Sequence, residues 1–211
     1  MTPGSTPPAE TPGGAATRII RGVVRLGRGK AEGIESFGNT PEALLSAIAP
    51  SAALFLVLAL SQFVQGYDAT EVTKVLILIT ALLLRLVVSQ ALASVWGKAE
   101  GWLRYATALL WSAWLPMVLS LVVLSIAQII MPGIVTSRPA LAVIMIGIEA
   151  YEFWLSWFVA RSGLGLKGGK AALLVVAVNL AVASLYLIAI ALPPHYNALK
   201  ELMGPLPKPH P

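Results

Sequence analysis

The chain has 211 residues, 57% of them hydrophobic and 12% charged, with a net charge of +5 and a mean hydropathy of +0.78. A soluble domain carries roughly 45–50% apolar and about 25% charged residues, so these charges are too few to coat a water-exposed globule, and the composition is that of an integral membrane protein. Cysteine is absent, which excludes disulfides, thiol catalysis and thiolate metal sites. The cations gather at the ends of apolar runs and near the N-terminus rather than along one stripe, which argues against nucleic acid as a partner.

Residues 1–16, MTPGSTPPAETPGGAA, hold almost no large apolar side chain and are expected to form a disordered tail. Residues 17–40 form a basic juxtamembrane segment. Within it, Arg18, Arg21, Arg25 and Arg28 fall in one sector of a helical wheel, opposite Ile19, Ile20, Val23, Val24 and Leu26. Such a helix can lie among anionic headgroups, each arginine contributing about 1 kcal/mol; alternatively the run only sets orientation. Gly22 and Gly27 are expected to weaken it by about 1 kcal/mol each relative to alanine. The first apolar run starts only at Ala43, and at Gln65 it has outgrown the roughly 7–15 residues of a signal-peptide core, so the N-terminus is expected to be retained.

Five apolar stretches follow, at about 43–65, 75–96, 105–131, 139–160 and 171–192, each near the roughly 20 residues a bilayer-crossing helix needs. They predict an all-α polytopic membrane protein whose transmembrane domain occupies residues 41–194, with a short non-cytoplasmic tail at 195–211. Thr40 is placed to cap the first helix, with Pro41 at its first position. Pro116 falls inside the third stretch, where it removes a backbone donor and predicts a kink near Ser112, whose hydroxyl could satisfy the freed groups. Of the Lys and Arg residues outside the stretches, ten lie on one side and four on the other. That imbalance places the N-terminus in the cytoplasm, in what is expected to be a bacterial inner membrane.

Three charges sit within the stretches: Arg85 in the second, Glu149 and Glu152 in the fourth. Counting residues to the flanking loops places them at similar membrane depth, where a charge costs roughly 2.5–3.5 kcal/mol while each Leu, Ile, Phe or Val returns about 0.3–0.6. The second stretch sets thirteen such residues against one arginine; the fourth sets nine against two acids, so it is expected to lean on its neighbours. Arg85 is therefore expected to pair with Glu149 or Glu152, along a polar seam containing Ser89, Ser156 and Asn179. If that pair is structural, joining Arg85→Glu to Glu149→Arg restores the abundance lost in either single variant, read by immunoblot of membranes; no rescue would contradict it.

Other motifs fail on inspection. The loop SGLGLKGGK at 162–170 lacks the glycine spacing and the Ser or Thr of a phosphate-binding loop, and reads as a flexible turn. His195 and His210 have no companion ligands nearby in sequence, so no metal site is expected, and no catalytic set or cofactor signature can be assembled. The run ATALLWSAWLP at 106–116, with its mid-helix proline, and YEFWLSWFVARSGLGLKGGKAALLVV at 151–176, within a five-span pattern over residues 18–192, resemble bacterial members of the Yip1-like membrane protein family. The resemblance implies a small helical membrane protein that acts through partners.

Taken together, these features predict a protein without catalytic chemistry of its own. It is expected to act by interaction with lipid and with other membrane subunits or its own copies, as a scaffold or accessory subunit. A small-solute or proton/ion transporter using Arg85, Glu149 and Glu152 is the alternative. An intramembrane enzyme lacks a nucleophile and base at matching depth.

Overall fold

A computed structural model describes residues 12–65, 68–134 and 137–197. Among these the chain is helical, with α1 Pro12–Gly27, α2 Pro41–Gln65, α3 Ala69–Val95, α4 Trp102–Ser112, α5 Trp114–Ile130, α6 Arg138–Leu164 and α7 Gly168–Ala191, and short 3-10 turns at Ala31–Ser36 and Ala99–Gly101. Five helical segments are long and apolar enough to cross a membrane: Pro41–Ser61, Ala69–Val95, Ala99–Ile130, Arg138–Leu164 and Gly168–Ala191. The protein is thus an all-α, multi-pass membrane protein.

Local chemistry sets the ends of these helices. Thr40 Oγ1 accepts the Ala43 N–H at 3.3 Å, so α2 begins as expected with Pro41 in its first turn. Pro50 lies inside α2, and the helix runs through it, as membrane helices tolerate. The second apolar helix begins at Ala69 rather than near residue 75, because the Asp68 carboxylate accepts the Thr70 N–H at 2.8 Å and caps it. The expected tail is also shorter than residues 1–16. Pro12 opens α1, where its missing N–H costs nothing, and the Thr17 hydroxyl donates to Gly13 O at 2.9 Å. The rest of that tail, and the C-terminal segment from residue 198 with His210, lie outside the described residues.

The third apolar stretch is two helices, broken at Ala113 between α4 and α5. Pro116 supplies the reason, since it cannot donate to the carbonyl four residues back and its ring presses on that turn. No side chain of α4 caps its own start, because Gly101 occupies that position. Asn39 caps it from 65 residues away: its Oδ1 accepts the Arg104 N–H at 3.0 Å, while its Nδ2 donates to Glu100 O at 2.8 Å. Asn39→Ala is expected to lower stability by about 1 kcal/mol, seen as a fall in the thermal midpoint in detergent, with Asn39→Asp recovering the half that accepts.

The chain divides into two compact units, Met1–Ala47 with Glu100–Ala171, and Ile48–Ala99 with Ala172–Pro211. In the first unit, burial gathers at one end. Trp102, Tyr105, Ala106, Thr107, Ala108 and Ser112 of α4 are buried, as are Leu155, Val159, Ala160 and Leu164 towards the end of α6. Small residues let the helices approach: a Cβ on Gly163 would stand 3.0 Å from the Tyr105 Cβ and 3.1 Å from its Cα. Beyond this packed end, α5 and the first half of α6 form a bare apolar stem, in which Pro116 alone is buried along α5. The 32 residues of Ala99–Ile130 would extend about 48 Å as one helix, well beyond a hydrocarbon core of roughly 30 Å. The 17 residues of α5 nearly span that core by themselves, at about 26 Å. The surplus is α4, and it belongs to the packed end.

In the second unit, α3 buries Leu86, Ser89 and Ala93 at i, i+3 and i+7, and α7 buries Leu174, Val178 and Val182 at four-residue steps. At the start of α3, Lys74 pairs with Glu71 at 2.6 Å and lies 5.6 Å from the centre of the Tyr196 ring. That contact brings the beginning of α3 and the chain beyond α7 to the same end of the unit, as alternating spans require.

Candidate functional site

The basic segment at 17–40 is built onto the packed end of the first unit. Gly22 and Leu26 of α1 are buried, whereas Arg18, Arg21, Arg25 and Arg28 are all exposed. The two glycines expected to weaken α1 are the places where its neighbours come closest. A Cβ at Gly22 would lie 2.6 Å from the Ser36 Cβ, and one at Gly27 would overlap the Leu115 side chain and stand 2.8 Å from the Tyr151 hydroxyl. The helical cost of these glycines is thus offset by packing. Gly29, at φ +73, ends α1 in a left-handed turn in which the Lys30 N–H returns to Arg25 O at 2.9 Å. The Tyr151 hydroxyl then donates to Gly27 O at 3.0 Å, fastening the end of α1 to α6. Tyr151, Trp154 and Phe158 stack in succession along α6 at this junction, with centroid separations of 5.7 and 5.5 Å.

The same junction locates the two acids of α6. Glu149 and Glu152 lie within one helical turn of Tyr151, level with the end of α1 and its exposed Arg28 and Lys30. Glu149 is exposed and Glu152 half-buried. Both acids lie within the Arg138–Leu164 span, close to where the apolar stem meets the packed end. Arg85 is half-buried on α3 in the other unit. Arg85 and the two acids thus belong to different units.

Two residues of the expected polar seam make bonds within their own helices. Ser89 is fully buried, and its hydroxyl donates to Leu86 O at 3.0 Å; Asn179 Nδ2 donates to Val175 O at 2.8 Å. Ser46, Ser61, Thr107, Ser120 and Ser184 likewise donate to a carbonyl three or four residues back. Back-bonding of this kind satisfies a hydroxyl within its own helix. Ser156 shares the α6 face of Glu152 and is half-buried.

Ser112 departs from the pattern. Its hydroxyl is buried without a hydrogen-bond partner, as is Trp111 Nε1, and both lie in the last turn of α4 before the break. The expectation that Ser112 would satisfy the backbone groups freed by Pro116 is therefore corrected. An unpartnered buried hydroxyl costs about 1–3 kcal/mol, so Ser112→Ala is expected to leave the thermal midpoint unchanged or raise it; a clear fall would show that the hydroxyl is bonded.

The loop at 162–170 is better ordered than a flexible turn. Gly165 takes φ +59, Leu166 is buried, and Trp157 Nε1 donates to Gly168 O at 2.9 Å. The Arg161 guanidinium lies 5.6 Å from the Trp157 ring centre. His195 Nδ1 lies 3.1 Å from Ile190 O at the end of α7, and among the described residues no three His, Asp or Glu side chains gather as a metal site would require. Comparison with protein-family models, with curated proteins and with solved structures finds no match to this chain.

Proposed function

We propose that this protein acts by binding other membrane components, as a scaffold or accessory subunit of a membrane complex. The observation that carries this reading is the contrast within the first unit. One end is closely packed around Tyr105 and fastened by Tyr151, while the stem of α5 and early α6 presents broad apolar surface, with Leu121 and Ile146 both exposed. A rigid head on an uncovered stem suits lateral association, because membrane helices associate through close packing rather than through expulsion of water. The Yip1-like resemblance of residues 106–116 and 151–176 supports the same reading. The excess of Lys and Arg on one side supports a cytoplasmic N-terminus in a bacterial inner membrane. Affinity purification of the tagged full chain in mild detergent, followed by mass spectrometry, tests the proposal. Companions in constant stoichiometry, or a stable homo-oligomer, are expected; elution as a lone monomer with no reproducible companion would contradict it.

A further inference from the structure

We infer that the outer face of α1 is a docking surface for anionic phospholipid headgroups, held rigidly at the edge of the bilayer in which the stem sits. The inference rests on membrane residence and on the placement of α1, and is independent of the scaffold proposal. Four observations converge on it.

The first is orientation. Gly22 and Leu26 face inward, and the contacts of Gly27 with Leu115 and Tyr151 leave α1 no room to roll. The arginine sector is therefore turned outward by packing, not by chance rotation of a free helix.

Charge is the second. Arg18, Arg21, Arg25 and Arg28 are exposed, and α1 contains no Asp or Glu. The 3-10 turn packed against it brings exposed Glu32 and Glu35, so with Lys30 the segment carries five cations against two acids. The outer face is therefore strongly basic, which suits an anionic surface.

The third observation separates a bilayer from any other polyanion. Ile20 is 64% exposed and Val24 37% exposed, and at 100° per residue they form a strip between the arginine sector and the inward face. In water this strip would be a cost. At the boundary between headgroups and acyl chains both halves of the outer face are satisfied at once, the arginines by phosphates and the strip by methylenes.

Position is the fourth. The end of α1 lies against Leu115 and Tyr151, where the packed end meets the bare stem and the aromatic stack begins. Aromatic rings of this kind favour the membrane–water interface.

The test uses the full-length protein in detergent micelles doped with phosphatidylglycerol or phosphatidylcholine, with bound lipid counted by native mass spectrometry. The wild-type protein is expected to retain phosphatidylglycerol in preference to phosphatidylcholine. Exchanging all four arginines, R18Q/R21Q/R25Q/R28Q, is expected to abolish that preference, at about fivefold in affinity per arginine, with the thermal midpoint in phosphatidylcholine unchanged because the four side chains are exposed. I20S/V24S is expected to weaken retention of both lipids. Preference persisting in the arginine variant would overturn the inference. So would heparin displacing the lipid equally well from wild type and I20S/V24S, which would mark a general polyanion surface. A spin label at position 20 in nanodiscs supplies a reading that does not depend on affinity: accessibility to oxygen is expected at the headgroup boundary, and accessibility to a water-soluble relaxant alone would overturn the proposal.

Discussion

Tyr105→Ala is expected to be the most damaging single substitution in the first unit, lowering stability by about 3–5 kcal/mol in line with other large aromatic truncations in packed cores. The side chain is 2% exposed, and its backbone and Cβ sit against Gly163, whose own missing side chain makes the approach possible. Truncation keeps the Cα and Cβ that meet Gly163 and removes the buried ring beyond them, leaving a cavity in the packed end. Ile34 of the 3-10 turn closes the same spot, its Cδ1 3.3 Å from where a Gly163 β-carbon would stand. Thermal unfolding of purified protein in detergent, followed by tryptophan fluorescence, reads the loss directly. Gly163→Val attacks the contact from the other side by overfilling it, at about 1–3 kcal/mol; a midpoint indifferent to Tyr105→Ala would mean that the packed end is not a core.

Gly27→Leu carries the second large expectation. A β-carbon at that position already overlaps Leu115, and a leucine adds three more carbons in the direction of the Tyr151 hydroxyl. The helix end must move away, breaking the bond from Tyr151 to Gly27 O along with the packing. A loss of about 1–3 kcal/mol is expected from the overfilling and about 1 kcal/mol from the hydrogen bond. The consequence should be local: α1 comes loose while the apolar helices stay inserted. Limited trypsin digestion reports this, since Arg25 and Arg28 become cleavable in the variant long before any site in the loops. Tyr151→Phe, which removes only the hydroxyl, should show the smaller of the two losses.

These two residues mark the edge of what could be read from sequence. The five apolar stretches, the cap at Thr40 and the break near Pro116 were legible because each rests on a local rule of solvation or backbone geometry. Gly27 was legible only as a weak helix former; its role depends on Leu115 and Tyr151, roughly ninety and more than a hundred and twenty residues away. Asn39 was invisible for the same reason, since nothing near it signals that it caps α4. The packing at the end of α6 was illegible for a different cause. Leu155, Val159, Ala160 and Leu164 pack into protein, although Arg138–Leu164 as a whole has the hydropathy of a membrane span. Mean hydropathy could not separate helix buried in protein from helix buried in lipid.

The absence of cysteine from all 211 residues makes one measurement particularly clean, because each introduced thiol is the only one present. Single cysteines placed at Arg104, Val122, Ile146 and Gly165 in intact membranes, probed with a membrane-impermeant maleimide, compare the packed end with the stem directly. Val122 and Ile146 should resist labelling until detergent is added, while Arg104 and Gly165 label readily from one and the same side. Rapid labelling of Val122 or Ile146 in sealed membranes would mean that water reaches the stem, and that these helices do not cross a hydrocarbon core.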